Sequence, residues 1–169
     1  MKSKYSAILF LVGAVGMISA GCGTDTTGGD TTGPLACTEI GCGPGFQVEF
    51  TRASWPAGAV EIAVTADGTT TTCTLTLPYA SCDNVVQCDK PNPGFFIETS
   101  GCALPAAQHS IGGVAWAETG PQNVTIVVSQ DGTMLGTQTF MPTYETSRPN
   151  GPDCEPVCSQ ATMPGSMMF

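Results

Sequence analysis

The chain has 169 residues, with five Lys or Arg against fourteen Asp or Glu, 41% hydrophobic side chains and only 7% aromatic ones. Its formal charge of −9 repels phosphate backbones and anionic headgroups, which excludes nucleic acid and electrostatic adhesion to lipid as expected modes of binding. Nine cysteines are an odd set, so in an exported chain one thiol needs a fate other than an internal disulfide.

The first 21 residues have the layout of an export signal: Lys2 and Lys4, an apolar run from Ala7 to Ile18, then the small residues Ser19, Ala20 and Gly21. The run of 12 residues is too short to span a bilayer, which takes about 20. Ala20, Gly21 and Cys22 resemble the lipobox of bacterial lipoproteins, with Ser19 in place of the usual leucine. The resemblance implies cleavage before Cys22 and acylation of its sulfur, so the membrane becomes a partner through acyl chains. Plain secretion after Gly21 is the alternative. Spending Cys22 on a thioether leaves Cys37, Cys42, Cys73, Cys82, Cys88, Cys102, Cys154 and Cys158, an even set suited to four disulfides in an oxidising compartment.

Residues 22–35 read as the anchor and a tether, because Gly23 to Thr32 use only Gly, Thr and Asp. Such a segment buries nothing that offsets the entropy of ordering, and its root-mean-square reach is roughly 20 Å. Loss of the signal removes Lys2 and Lys4, leaving three cations against fourteen acids, a net −11. Gly23 after the anchor favours the outer membrane by the enterobacterial sorting rule, which associates Asp there with inner-membrane retention.

Residues 36–160 are expected to form one all-β domain, and 161–169 a flexible tail. Period-two alternation runs through Phe46, Val48 and Phe50; Val60, Ile62 and Val64; Cys73, Leu75 and Leu77; and Val124, Ile126 and Val128. Asp67-Gly68 and Asp131-Gly132 mark hairpin turns. Further strands near Phe95 to Thr99, Ile111 to Ala117 and Met134 to Met141 bring the count to about seven. That pattern predicts an antiparallel, immunoglobulin-like, disulfide-stapled β-sandwich, although neither Trp55 nor Trp116 has the immunoglobulin spacing between cysteines. A weak repeat at an offset of 64 aligns Val60, Ile62, Val64, Asp67, Gly68, Thr69 and Pro78 with Val124, Ile126, Val128, Asp131, Gly132, Thr133 and Pro142, and Ala53 with Ala117.

Eight cysteines allow 105 pairings. Chain ends often lie close together, so Cys37 and Cys42 are expected to bond Cys154 and Cys158, with local bridges inside each pair as the alternative. Cys82 and Cys88 bracket a short loop and are expected to pair, leaving core-facing Cys73 for Cys102. Only Cys154 and Cys158 have the spacing of a zinc pair, and oxidation removes thiols, so no metal is expected.

His109 is the only histidine, and no nucleophile elbow or Ser/His/Asp arrangement accompanies it, so a structural role is expected. Glu49, Glu61, Glu98 and Glu118 fall on polar strand phases or strand ends and read as solvent-facing rather than as a glycosidase pair. Asp83, Asp89 and Asn92 crowd one loop without an EF-hand pattern, and Met163, Met167 and Met168 suggest a thioether cluster for copper(I) less well than they suggest a frayed end.

The run Arg148-Pro149-Asn150-Gly151-Pro152-Asp153-Cys154-Glu155-Pro156-Val157-Cys158, with Gly101-Cys102-Ala103-Leu104-Pro105 and the Thr/Gly/Asp tether, resembles a set of small cysteine-rich lipoproteins of myxobacteria. The resemblance implies a bacterial envelope location and carries no catalytic residue, binding residue or cofactor. The expectation is a non-enzymatic, lipid-anchored envelope protein. Its alternative is a glycan- or peptide-binding module using loops at one end of the sandwich, which Trp55, Trp116, Tyr79 or Tyr144 gathered in a groove would favour.

Overall fold

The structure, a computed structural model, describes residues 37–91, 93–117 and 119–169. The export signal, Cys22, the tether, Asn92 and Glu118 lie outside the described residues. What is described is all-β: β1 (Phe46–Thr51), β2 (Gly58–Ala66), β3 (Thr69–Leu77), β4 (Gln87–Cys88), β5 (Phe96–Ser100), β6 (Ser110–Trp116), β7 (Val124–Gln130), β8 (Thr133–Phe140), β9 (Tyr144–Ser147), β10 (Cys158–Ala161) and β11 (Gly165–Met168). A single 3-10 turn at Ala106–Gln108 interrupts them.

The strands form a five-stranded sheet ordered β4-β3-β2-β7-β8, a four-stranded sheet ordered β11-β1-β6-β5, and the two-stranded pair β9-β10. Alternation in the sequence becomes alternation of faces, because successive strand residues point to opposite sides. Phe46 and Val48 of β1 and Val114 and Trp116 of β6 join Val60, Ile62 and Val64 of β2 and Val124, Ile126 and Val128 of β7 in one buried cluster. Trp116 anchors one end of that core, with ring centroids 5.6 Å from both Phe46 and Phe95.

Eleven strands correct the expected seven, and the pairing is not wholly antiparallel. The additional strands β4, β9, β10 and β11 are two to four residues long and lack β-branched alternation, so period two does not reveal them. The expected flexible tail at 161–169 is likewise corrected: β11 runs parallel to β1, from Val48 opposite Gly165 to Thr51 opposite Met168. Met167 is buried in the core, and Phe169 packs edge-on against Phe50 at 5.5 Å. Burial of these two side chains offsets the ordering entropy that otherwise frays a terminus.

The 64-residue repeat has a structural counterpart. Hairpins β2-β3 and β7-β8 lie side by side through an antiparallel β2-β7 ladder, in which Ala63 faces Val127, its own repeat equivalent. Because Val60 faces Gln130 and Ala66 faces Val124, exchanging each residue for its equivalent reproduces the same ladder. The hairpins are therefore related by a local two-fold.

The turn aspartates obey the same symmetry. Asp67 and Asp131 adopt φ of 45° and 49°, followed by Gly68 and Gly132 at 83° and 77°, the positive values that a two-residue hairpin turn demands. Each aspartate also locks the opposite hairpin. The Asn123 N–H donates to Asp67 Oδ1 at 2.9 Å, and its equivalent, the Ala59 N–H, donates to Asp131 Oδ1 at 2.9 Å. The return bonds match, from Asp67 N–H to the Asn123 carbonyl and from Asp131 N–H to the Ala59 carbonyl. Asp131→Ala and Asp67→Ala are each expected to cost about 1–2 kcal/mol, with solvent moderating the loss at these exposed turns. Urea titration of both variants checks the magnitude, with the somewhat larger loss expected at Asp67, whose Oδ2 also accepts the Gln122 N–H at 3.3 Å.

Candidate functional site

The four disulfides are Cys37–Cys154, Cys42–Cys158, Cys73–Cys88 and Cys82–Cys102. The first two clamp the start of the described chain to the segment around β10. The central pairing corrects the expectation of Cys82 with Cys88 and Cys73 with Cys102. Strand β4 adds to the edge of β3 with Cys88 directly opposite Cys73, so the cross-strand partner takes the core-facing thiol. Cys82 is then free to reach Cys102 beyond β5.

Residues 37–44 contain no strand and are exposed, so the clamp needs fixing by other means. Buried Asn150 supplies it. Its Oδ1 accepts from Thr38 Oγ1 at 2.6 Å and from the Ile40 N–H at 2.8 Å, and its Nδ2 donates to the carbonyls of Ile40 and Glu155. Pairing of all its amide positions meets the cost of burying a polar side chain. The sequence marks Asn150 only as part of a motif, since three of its four contacts reach residues 110 or 112 positions away and leave no local signal.

His109 is buried between two protein partners. Its Nδ1 accepts the Tyr79 N–H at 2.9 Å, which leaves Nε2 as the donor to the Leu104 carbonyl at 3.1 Å. Its ring stacks on Tyr79 with centroids 4.9 Å apart. Nδ1 thus ties the segment before β6 to the end of β3, and Nε2 braces that segment internally. Tyr79 completes the contact by donating its hydroxyl to the Ser110 carbonyl at 2.6 Å.

The carboxylates divide between two sheets. Glu49 and Glu98 flank Gly113 in one row of the four-stranded sheet, two strand spacings or about 10 Å apart. They stand on a sheet face, and Glu98 already accepts from Gln47 Nε2 at 2.9 Å. Glu61 lies on the five-stranded sheet, opposite Thr74. Asp89 caps the Thr72 N–H at 2.9 Å, whereas Asp83 belongs to a different part of the loop. Met163 and Met168 are exposed while Met167 faces the core, so the three sulfurs do not converge. Among the described residues no group of three His, Cys, Asp or Glu is placed to hold a metal ion.

The four aromatic candidates do not gather in a groove. Trp116 and Tyr79 are buried, Trp55 packs against Phe169 under the Arg52 guanidinium, and Tyr144 donates its hydroxyl to the Pro121 carbonyl. Burial pushes the Tyr79 phenol up to about 12. Burial, and then the negative charge of Asp67, push Tyr144 up to about 12. The unfolded phenols ionise near 10, so the fold holds the protonated form, and its contribution is complete below pH 10. Stability is expected to fall as pH rises from about 10 to 12. Phenolate absorbance should lag behind that of free tyrosine and then rise together with the loss of tertiary circular dichroism.

Among several surface cavities, one of about 420 Å³ is lined largely by polar side chains. It opens between β3 and the loop of residues 78–86 that links β3 to β4. Thr74, Thr76, Ser81, Asp83, Asn84 and Gln87 contribute its polar wall. Sequence reading found only Asp83 among these, because a wall assembled from strand and loop hydroxyls leaves no spacing signature. No protein-family model, curated protein or solved structure matches the chain. Among the described residues, no helix is long and apolar enough to cross a membrane.

Proposed function

We propose that the protein is a non-enzymatic, lipid-anchored protein of the bacterial envelope, displaying a disulfide-clamped β domain at the end of a flexible tether. The observation that carries this reading is cysteine arithmetic. Four disulfides consume eight of the nine cysteines, and the ninth is Cys22, the residue at the small-residue cut site. An odd thiol in an oxidising compartment is a liability unless it is chemically capped, and thioether formation caps it.

The position of the clamp supports the same role. The tether would enter the domain at Cys37, where Cys37–Cys154 and Cys42–Cys158 pass load directly into the segment around β10. We read the five- and four-stranded sheets as the two faces of an immunoglobulin-like sandwich, supported by the single core between them. The scattered aromatics disfavour sugar recognition on an aromatic platform. The likeness of the 148–158 segment to myxobacterial cysteine-rich lipoproteins agrees with an envelope location, with the outer membrane favoured by Gly23.

The reading is tested by expressing the native chain and a Cys22→Ser variant with a radiolabelled fatty acid. The native chain should carry label and sediment with membranes, and the variant should lose both. Unlabelled, soluble native protein overturns the anchor.

A further inference from the structure

We infer that the cavity beside β3 is a binding site for a short, neutral saccharide. The inference goes beyond the display role proposed above and does not depend on how the domain is attached. Its first support is the chemistry of the wall. Thr74, Thr76 and Ser81 present hydroxyls, Asn84 and Gln87 present amides, and Asp83 presents the sole carboxylate. Vicinal sugar hydroxyls can donate to that carboxylate while accepting from the amide N–H groups. Ala59, Ala80 and Val85 interrupt the polar wall with small apolar surfaces that suit the C–H face of a pyranose.

Other ligand classes fit less well. A single acid and no convergent oxygen cluster is a poor cation site. The wall contains no cation, and the net negative charge of the chain repels anions. An extended peptide would need a longer open strand edge than β3 offers here, since β4 already occupies that edge at Cys73 and Thr74 and only residues 75–77 remain beyond it. The volume lies toward the small end of the roughly 300–1,000 Å³ range of ligand sites, which suits a mono- or disaccharide.

The second support is preorganisation. Cys73–Cys88 fixes the far end of the loop, and Cys82–Cys102 fixes its middle. At the near end Tyr79 is held by His109 Nδ1 and by the Ser110 carbonyl. Ser81 Oγ donates to the Asp83 carbonyl at 3.1 Å, and Asn84 is held at φ 53°, a left-handed conformation uncommon outside glycine. A loop restrained at three points loses little freedom when a ligand arrives. Tyr79, the one aromatic residue in the lining, is buried with its ring stacked on His109, so it offers a sugar little open face and affinity is expected in the millimolar range.

The test is an amide chemical-shift titration of the full mature chain with maltose, cellobiose and chitobiose, beside triglycine and calcium chloride. At least one disaccharide should give saturable shifts confined to residues 74–76 and 80–87. An Asp83→Ala/Asn84→Gly variant, which keeps a residue suited to the left-handed turn, should weaken binding at least about tenfold. Thr76→Val, on the rigid strand, should weaken it with an unchanged unfolding midpoint. The proposal is overturned if no disaccharide shifts these amides, if the shifts fall elsewhere, if both variants bind as the native chain does, or if triglycine or calcium shifts the same amides more strongly.

Discussion

Serine at Cys37, Cys42, Cys154 and Cys158 together is expected to remove about 7–8 kcal/mol of stability. A disulfide acts chiefly by restricting the unfolded chain, and closing a loop of 117 residues is worth about 5 kcal/mol in the loop-entropy account. The two clamp bonds are interleaved in sequence and lie side by side, however. Once either is formed, the other closes only a small ring through the short arms between Cys37 and Cys42 and between Cys154 and Cys158, worth about 2–3 kcal/mol. Removing one pair should therefore cost about 2–3 kcal/mol whichever pair is chosen, and removing both should cost more than the sum of the single losses. A domain with about 5–15 kcal/mol in total would be left marginal or unfolded. Guanidinium titration of the two paired-serine variants and the quadruple variant measures this directly. Single losses near 5 kcal/mol that simply add would show that each bond acts alone.

Gly113→Ala is expected to be among the most damaging single substitutions. Gly113 sits in β6 between β1 and β5, opposite Glu49 on one side and Glu98 on the other. A Cβ there would lie 2.1 Å from the Val48 carbonyl oxygen and 3.1 Å from its carbon. Neither atom is a side-chain end that can swing aside. Relief requires separating β1 from β6, and β1 is also held by β11 on its other edge. Backbone strain and overpacking together should cost about 3–5 kcal/mol. By contrast, nothing lies within 4 Å of a Cβ at Gly132, so Gly132→Ala suffers only the strain of its positive φ, about 1 kcal/mol. Urea midpoints followed by Trp116 fluorescence compare the two. Equal midpoints would contradict the close approach of β1 and β6.

The strands that the sequence made legible are those with a one-sided environment. Val60, Ile62 and Val64 alternate with Glu61 and Ala63 because one face of β2 is buried and the other is wet, and the turn after Ala66 needs Asp67-Gly68 whatever surrounds it. Residues whose role depends on a distant segment were not legible. Gly165 and Met167 become a strand only because β1 offers an open edge, and nothing in Gly-Ser-Met-Met announces that edge. Cys88 pairs with Cys73 because β4 settles beside β3, a two-residue contact with no periodicity of its own. The ends of the chain were easier, since closeness of termini is a general property of domains, and it pointed to Cys154 and Cys158. The cavity was the least legible feature. Its wall draws on Thr74 and Thr76, which in sequence are solvent-facing strand positions like any others, and on a loop whose shape is set by two disulfides.

The central claim, that eight cysteines staple the domain and the ninth anchors it, is tested most directly by the intact mass of the mature protein from membranes, before and after reduction. The account predicts a chain beginning at Cys22, heavier than its sequence by a diacylglyceryl group, with or without an N-acyl chain, and gaining the mass of eight hydrogens on reduction. A mature chain with an unmodified Cys22, or one that takes up fewer than eight hydrogens, would contradict it.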